Sequence, residues 1–338
     1  MRYLVTGAQG FVGRYFVAAT LADDPEAEVL GIGRSPRRDE VFTHNVRFGA
    51  TSVPAPLPVS LREAAVDKRY RYEAIDICDG HSLVHFMLEF RPELVVHLAS
   101  GLRDDDNAHL MKTNLIGTIT LIEAIAELGP TVRMSVLGST GGVYGAPERI
   151  PIQESALCRP VDAYSTSKLV SEHASRIVAE RYGVPVLWAR LFNLVGPGQD
   201  ERHVCGRFAA QAAAIARGVA EPVVEAGNLD STRDFVDVRD VASALGRLAH
   251  SGVAGEAYNV SSGVEVAIGD VLASTLRAAG IEGSVSIARA APRVNDIARH
   301  TGDPSKITSL GYTPRYTLAK SIGDVVGYYM TEAAAAVS

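Results

Sequence analysis

Tryptophan occurs once in the 338 residues, and cysteine only three times, at Cys78, Cys158 and Cys205. Thiols odd in number and far apart make neither a disulfide framework nor a cysteine metal site, and they suit a reducing compartment. No metal site is expected. No apolar run approaches the roughly 20 residues needed to cross a bilayer, so no membrane association is expected. A strand begins at once after Met1, so no signal peptide is expected either and a cytoplasmic location is. Basic charge is also in short supply: 33 Lys and Arg against 39 Asp and Glu leave a net charge of −6, which argues against nucleic acid as a partner. Internal repeats are absent. What remains, 47% apolar and 21% charged, is a soluble globular composition, with chain enough for one large domain or two modest ones.

Apolar strand-like runs at 2–6, 28–33, 71–76, 94–98, 132–138 and 185–191 alternate with helical stretches at 11–21, 80–89, 107–128 and 162–182. This rhythm predicts an α/β fold with a doubly wound parallel sheet and right-handed crossovers. Residues 39–70 break the rhythm, and Pro54-Ala55-Pro56-Leu57-Pro58 reads as a loop. After Phe192, short segments separated by Gly and Pro suggest a smaller mixed lobe. The expected organisation is a dinucleotide-binding domain over 1–190, to which parts of 230–260 return, a second lobe mainly over 191–330, and an Ala-rich tail over 331–338 that frays or is disordered.

The first strand runs straight into Gly7-Ala8-Gln9-Gly10-Phe11-Val12-Gly13. Gly7 allows the tight turn, Gly10 lets backbone N–H groups approach a pyrophosphate, and Gly13 lets the new helix pack closely on the strand. The helix N-terminus adds unpaired donors and partial positive charge. At the end of the second strand, an acid would accept hydrogen bonds from the ribose hydroxyls of NAD. No acid stands there; the sequence is Gly33-Arg34-Ser35-Pro36-Arg37-Arg38. A guanidinium matches a phosphate dianion in charge and fork geometry, so Arg34 points to the 2′-phosphate of NADP(H), with NAD(H) as the alternative. A solvated basic loop would look the same. Asp76 and Ile77, at the end of the third strand, are candidates to touch an adenine ring, or are a plain strand end. In such sheets ligands lie beyond the carboxyl ends of the strands. The glycine turn, Arg34, the His97–Arg103 turn and the Leu137–Tyr144 turn all belong on that edge.

Tyr164 and Lys168 are four apart in an expected helix and share a face. An unperturbed phenol near pKa ~10 is a poor proton-transfer group at neutral pH; a neighbouring ammonium favours its ionised form. The pair on its own is no more than a surface Tyr and Lys. Beside it, the strand ending in Gly138-Ser139-Thr140-Gly141-Gly142 offers hydroxyls at Ser139 or Thr140 to hold a reacting oxygen. Together the elements predict redox chemistry on an alcohol or ketone.

These residues carry a resemblance over nearly the whole chain. TGAQGFVG, HLAS, KTNLIGT, STGGVYG, YSTSK, ARLFNLVGPGQ, GNLDSTRDFVDVRDVA, AYNVSSG and the late RVND resemble the extended short-chain dehydrogenase/reductase family, the nucleotide-sugar epimerases, dehydratases and reductases with a Rossmann-type fold. The resemblance implies a catalytic set of Thr140, Tyr164 and Lys168, with Asn114 shaping the site. It implies cofactor contacts from Gly7, Gly10, Phe11, Val12, Gly13, Arg34, Asp76, Ile77, Leu98, Ala99, Tyr164 and Lys168. Ser139, Thr140, Asn193, Arg233 and Arg293 would meet a nucleotide-sugar substrate, the two arginines at its diphosphate or nucleoside. In the 4,6-dehydratases of the family a carboxylate follows the catalytic hydroxyl residue. Here Gly141 and Gly142 stand in that place, so dehydration is not expected. The motif wording is most similar to GDP-6-deoxy-4-keto-mannose reductases, which implies NADPH-dependent reduction of a 4-keto group. An NAD-dependent 4-epimerase is the alternative, and a dinucleotide-binding protein without turnover a third. The family's four-helix interface implies a homodimer.

Overall fold

The computed structural model describes residues 1–289 and 297–337. Along the first half of the chain come β1 (Arg2–Thr6), α1 (Phe11–Asp23), β2 (Glu28–Gly33), β3 (Val41–Phe48), β4 (Thr51–Pro56), α2 (Val59–Ala65), β5 (Tyr70–Ala74) and α3 (Gly80–Phe90). These are followed by β6 (Leu94–His97), α4 (Asn107–Met111), α5 (Gly117–Glu127), β7 (Met134–Thr140), α6 (Ala163–Tyr182) and β8 (Val186–Leu191). The second half supplies β9 (Asn193–Val195), α7 (Val204–Ala216), β10 (Val223–Ala226), β11 (Thr232–Arg233), β12 (Phe235–Asp237), α8 (Val238–Ser251) and β13 (Ala257–Val260). Last come β14 (Val266–Ala267), α9 (Ile268–Ala278), β15 (Ser286–Arg289), β16 (Arg299–His300), α10 (Ser305–Thr308) and α11 (Leu318–Tyr328).

Seven parallel strands form the main sheet in the order β13-β8-β7-β6-β1-β2-β5, the doubly wound architecture expected. The chain works outward from β1 to β2 and β5, then returns to lay β6, β7, β8 and β13 on the other side. Val5 is paired with Gly31 on one flank and Val96 on the other. Because successive strand side chains point to opposite faces, the runs of consecutive apolar residues in the central strands feed two cores. Val5, Val29 and Val96 pack with Phe16 of α1 and Leu245 and Leu248 of α8. Leu4, Leu30 and Val95 pack with Leu83 and Met87 of α3 and Leu121 and Ile125 of α5. Each such side chain withdrawn from water contributes about 1.5–3 kcal/mol before entropy is subtracted. The smaller lobe is built from short pairings: β9 with β12, β10 with β15, and β14 and β16 on either side of β11.

Residues 39–70, where the sequence assigns no element around the expected loop at 54–58, are ordered. They form an antiparallel hairpin, β3 with β4, followed by α2. The proline run ends strand β4, with Pro54 opposite Asn45 and Pro56 opposite Val41. The hairpin has two strands, so a proline's missing N–H on the outer side costs no ladder bond. Phe42 and Val46 are fully buried. The Phe42 ring leaves no room for a side chain at Gly198, which is held at φ +86°, while His44 Nε2 lies 2.7 Å from the Gly198 carbonyl oxygen. At the far strand, Tyr328 donates to the Pro56 carbonyl.

Three boundaries also move. The expected helix over 107–128 contains a π-helical turn at Lys112–Ile116, a feature frequent at functional sites; it sets Asn114 inward, 1% exposed. Strand β7 runs on to Thr140 rather than ending at 138, so Ser139 and Thr140 point to opposite faces. The tail docks: Ala333 and Ala334 are buried, and the Tyr329 hydroxyl lies 2.7 Å from Glu201 Oε1 and 2.8 Å from the Gln199 carbonyl oxygen.

One polar string crosses the sheet centre. Thr118 donates to the Asn114 carbonyl at 2.7 Å, so its oxygen is left to accept from His97 Nε2 at 2.9 Å. Nδ1 of His97 then accepts from Thr6, at 2.6 Å, whose oxygen in turn takes the Leu98 and Ala99 N–H groups. The string is satisfied only by a neutral imidazole. Burial, with Lys168 adding, pushes the pKa of His97 down from 6.5 to about 3. A depressed folded value means that the unfolded chain binds the proton first. His97 therefore stabilises the fold fully above pH 6.5 and progressively less as the pH falls toward 3. Thermal unfolding at stepped pH should show Tm dropping through that window, with a shallower slope in His97→Gln; an identical slope would remove His97 from the acid response.

Candidate active site

The loops that leave β1, β2, β6 and β7 meet at the carboxyl edge, on both sides of the reversal between β1 and β6. Gly7 sits at φ +68°, and a Cβ there would stand 2.7 Å from the backbone of Leu98 and Ala99. A Cβ on Gly13 would run into the Gly7 carbonyl and the Ala8 backbone. Gly10 is the N-cap of α1, with no side-chain capping bond and no acid in the first turn. The N–H groups that begin at Phe11 and Val12 are therefore left pointing into the crevice. Uncapped donors and a glycine cradle fit the pyrophosphate of a dinucleotide.

At the end of β2, Arg34 is exposed and its Nη1 lies 3.2 Å from His109 Nε2 of α4, across the crevice mouth. The loop behind it is fixed: Gln9 holds the Pro36 carbonyl and the Arg38 N–H, Tyr72 holds the Ser35 carbonyl, and Arg37 is paired with Asp39 at 2.8 Å. Asp76 is exposed beyond the end of β5, its carboxylate taking the Cys78 N–H. Ile77 beside it is buried against Gly117. Leu98 and Ala99 form the opposite lip, above Gly7.

Tyr164 and Lys168 come from the first two turns of α6, which Asp162 caps through the Ser165 N–H. The Tyr164 phenol is half-buried, and desolvation is the largest influence on it, raising its pKa. The Arg103 guanidinium, 5.5 Å from the ring centroid, and a hydrogen bond with Ser100 pull the other way. Arg103 is itself held by Asp162 at 2.9 Å. Lys168 is buried; its Nζ donates to the Gly138 carbonyl at 3.0 Å. Burial lowers its pKa to about 8, opposed by Glu172. The groups that lower the phenol's pKa are Arg103 and Ser100, and the Lys168 ammonium donates to β7.

Thr140 ends β7 with its Oγ1 accepting from the Gly142 N–H at 3.1 Å. The place of a Cβ on Gly142 is taken by the Ser165 hydroxyl, with Thr140 Oγ1 3.4 Å away. Thr140 thus borders the start of α6. Ser139 does not join it: its side chain faces the other way and donates to Glu172. Asn114 ties the surrounding backbone, its Oδ1 accepting from Gly101 N–H at 2.8 Å and its Nδ2 donating to Ser167 at 2.8 Å.

Of the residues assigned to the second lobe, Asn193 donates to the Asp234 carbonyl at 2.9 Å. Arg233 is half-buried, with Nη1 bonded to the Thr232 carbonyl. Asp234 is engaged by Ser262, Gly263 and Gly302. Arg293 lies outside the described residues. His300, not singled out in the sequence, brings this lobe to the site: Nε2 lies 3.1 Å from the Gly141 carbonyl oxygen, and the ring lies 5.1 Å from that of Phe192. Ser100 and Arg103 were missed as well, although both lie in the His97–Arg103 turn.

Among the described residues no group of three or more His, Cys, Asp or Glu could hold a metal ion, and no helix is long and apolar enough to cross a membrane. A crevice with a phosphate cradle at one end and a phenol, a hydroxyl and an ammonium around the other can bind a dinucleotide and move a proton at a substrate oxygen.

Known proteins align with this arrangement. The model of the NAD dependent epimerase/dehydratase family matches residues 3–261. GDP-6-deoxy-D-mannose reductase of Pseudomonas aeruginosa is 33% identical over 240 residues, covering 68% of this chain and 78% of that protein. Among solved structures, RMD from Pseudomonas aeruginosa complexed with NADPH superposes with a TM-score of 0.79 at 28% identity, covering 98% of this chain and 99% of that one. UDP-glucose 4-epimerase of Thermus thermophilus, in complex with NAD, superposes with a TM-score of 0.78, also at 28% identity and with the same coverage. With its glycine cradle, its Tyr164 and Lys168 pair and a match over most of its length, the chain belongs to the NAD dependent epimerase/dehydratase family.

Proposed function

We propose that this enzyme uses NADPH to reduce the C4 ketone of a nucleotide-linked 4-keto-6-deoxyhexose. The observation that carries the reading is the charge at the end of β2, where Arg34 stands and no acid does. An acid there would serve a ribose hydroxyl; a guanidinium serves a 2′-phosphate. The relative most useful for comparison, at 33% identity, is a reductase. Dehydration is disfavoured because it requires a carboxylate next to the catalytic hydroxyl. Gly141 and Gly142 offer none, and Gly142 has no space for a side chain.

The nicotinamide, when bound, supplies hydride to C4. Tyr164 gives its phenolic proton to the C4 oxygen. Burial raises the pKa of that phenol, which keeps it protonated at neutral pH, the form a reduction consumes. Thr140 holds the oxygen by a hydrogen bond. Lys168, charged below about pH 8, places positive charge where negative charge would otherwise build up on the phenolate. Asn193 is assigned to the substrate diphosphate, and Arg233 and Arg293 to the diphosphate or the nucleoside, a diphosphate being a good partner for guanidinium groups. A 4-epimerase is the second reading, favoured by the likeness to UDP-glucose 4-epimerase.

The same reading includes a homodimer. Val170 and Ile177, seven apart on α6, and Ile116 just before α5 are exposed apolar side chains, 38%, 67% and 49% accessible; two α5–α6 pairs would cover them. Sedimentation should return twice the chain mass, and a monomer would remove this part.

Incubation with a panel of 4-keto-6-deoxy sugar nucleotides should consume NADPH, followed by its absorbance. Interconversion of UDP-sugars without net NADPH consumption would establish the epimerase instead. Tyr164→Phe should lower turnover by about 10²–10⁴-fold with NADPH affinity little changed, measured by cofactor fluorescence; retained turnover would remove Tyr164 from its role. Arg34→Asp should weaken NADPH far more than NADH in the same binding assay, and equal losses would overturn the cofactor assignment.

A further inference from the structure

We propose that Glu172 is a positioning residue for the proton-transfer group: held in place by Arg190 and Ser139, it supplies the negative charge that keeps Lys168 an ammonium. This rests on the role given to Lys168 in the reading above.

Tyr164, Lys168 and Glu172 follow one another at four-residue spacing and form a single stripe on α6. Glu172 is 7% exposed and Arg190, on β8, 8%. The carboxylate is fully engaged. Oε2 accepts from Arg190 Nη2 at 2.7 Å, and Oε1 accepts from Arg190 Nε at 3.1 Å and from the Ser139 hydroxyl. Arg190 Nη1 continues to the Tyr144 hydroxyl at 2.9 Å and the Glu154 carbonyl at 3.2 Å. Tyr144 passes its own proton to Asn259 Oδ1 at 2.7 Å. A buried pair of this kind is a poor device for stability alone, since apolar residues of similar volume often do as well. The placement explains it better. Lys168 donates to the carbonyl of Gly138 while Glu172 accepts from the side chain of Ser139, the next residue. Successive charges on α6 thus hold successive residues of β7, and Thr140 comes directly after them on the opposite face.

The other groups around Lys168 do not supply the anion. From β6, His97 is neutral, its pKa pushed down to about 3. From β8, Arg190 is positive and is paired with Glu172. Tyr164, on the same helix, is a protonated phenol. Burial works against the ammonium, and Glu172 is the neighbour that raises its pKa.

The chain has five lysines, at 68, 112, 168, 306 and 320, few enough for titration of each ammonium by NMR with ¹³Cε-labelled lysine, the Lys168 signal being assigned through Lys168→Arg. In the protein without substrate, Glu172→Gln should lower the Lys168 midpoint by about one pH unit or more. Glu172→Asp, which keeps the charge, should leave it near the starting value. With substrate, the alkaline limb of kcat/KM should move down with the midpoint in Glu172→Gln and return in Glu172→Asp. A folded Glu172→Gln protein whose Lys168 midpoint has not moved overturns the proposal, because a purely structural carboxylate would lower Tm and leave that titration alone. If Glu172→Gln does not fold, Glu172→Gln combined with Arg190→Met removes both charges and should move the midpoint down by less; no movement there is equally fatal. A protein that reduces no 4-keto sugar yet shows these shifts keeps this inference and loses the functional one.

Discussion

No side chain fits between the turn that leaves β1 and the turn that leaves β6. Gly7 is pressed against the backbone of Leu98 and Ala99, and Gly13 against the carbonyl of Gly7. This contact lets α1 begin directly beneath the crevice with its first N–H groups unpaired, and it sets the spacing of both lips. The polar string from Thr6 through His97 and Thr118 runs underneath it and ends at Asn114. Asn114 in turn orders Gly101, Ser100 and Ser167. A change in the close approach of the two turns would therefore be transmitted to the start of α6, where the phenol stands. The glycine cradle and Tyr164 are held by one set of contacts.

Electrostatically the site divides in two. The outer part is open, with Arg34 and Arg103 in contact with water. The inner part is closed: Glu172 is paired with Arg190 and also acts on Lys168, whose ammonium donates to the Gly138 carbonyl. The outer charges can pair with a ligand's phosphates at small desolvation cost. The inner ones already carry that cost and give a fixed field in return, since the groups producing it have no freedom to reorient.

Much of this was legible in the sequence. The strands of the main sheet announced themselves as apolar runs, because strands covered on both faces carry no polar alternation. The glycine turn and the Tyr164–Lys168 spacing could be read because each is local, and the carboxyl-edge rule gathered them without coordinates. What escaped depends on facts a linear pattern does not carry. The hairpin at 39–70 was masked by its prolines, although Phe42, Val46 and Phe48 alternate as a strand should. Ser139 looked interchangeable with Thr140 until β7 proved two residues longer, which sends the two hydroxyls to opposite faces. The π-turn at 112–116 left no sequence signature, and the Ala-rich end, expected to fray or be disordered, is anchored by Tyr329 and Glu201. His300 reaches Gly141 from 159 residues away, and no spacing rule reads across such a gap.

The hairpin of β3 and β4 is stitched to both halves of the molecule. It meets α1 through the Phe42 and Phe11 rings, the second lobe through Gly198 and Glu201, and α11 through Tyr328. Such a brace stiffens the crevice on the pyrophosphate side. At the far rim, by contrast, Arg34 and His109 meet over the mouth through an exposed hydrogen bond, so the two rims are held with unequal strength.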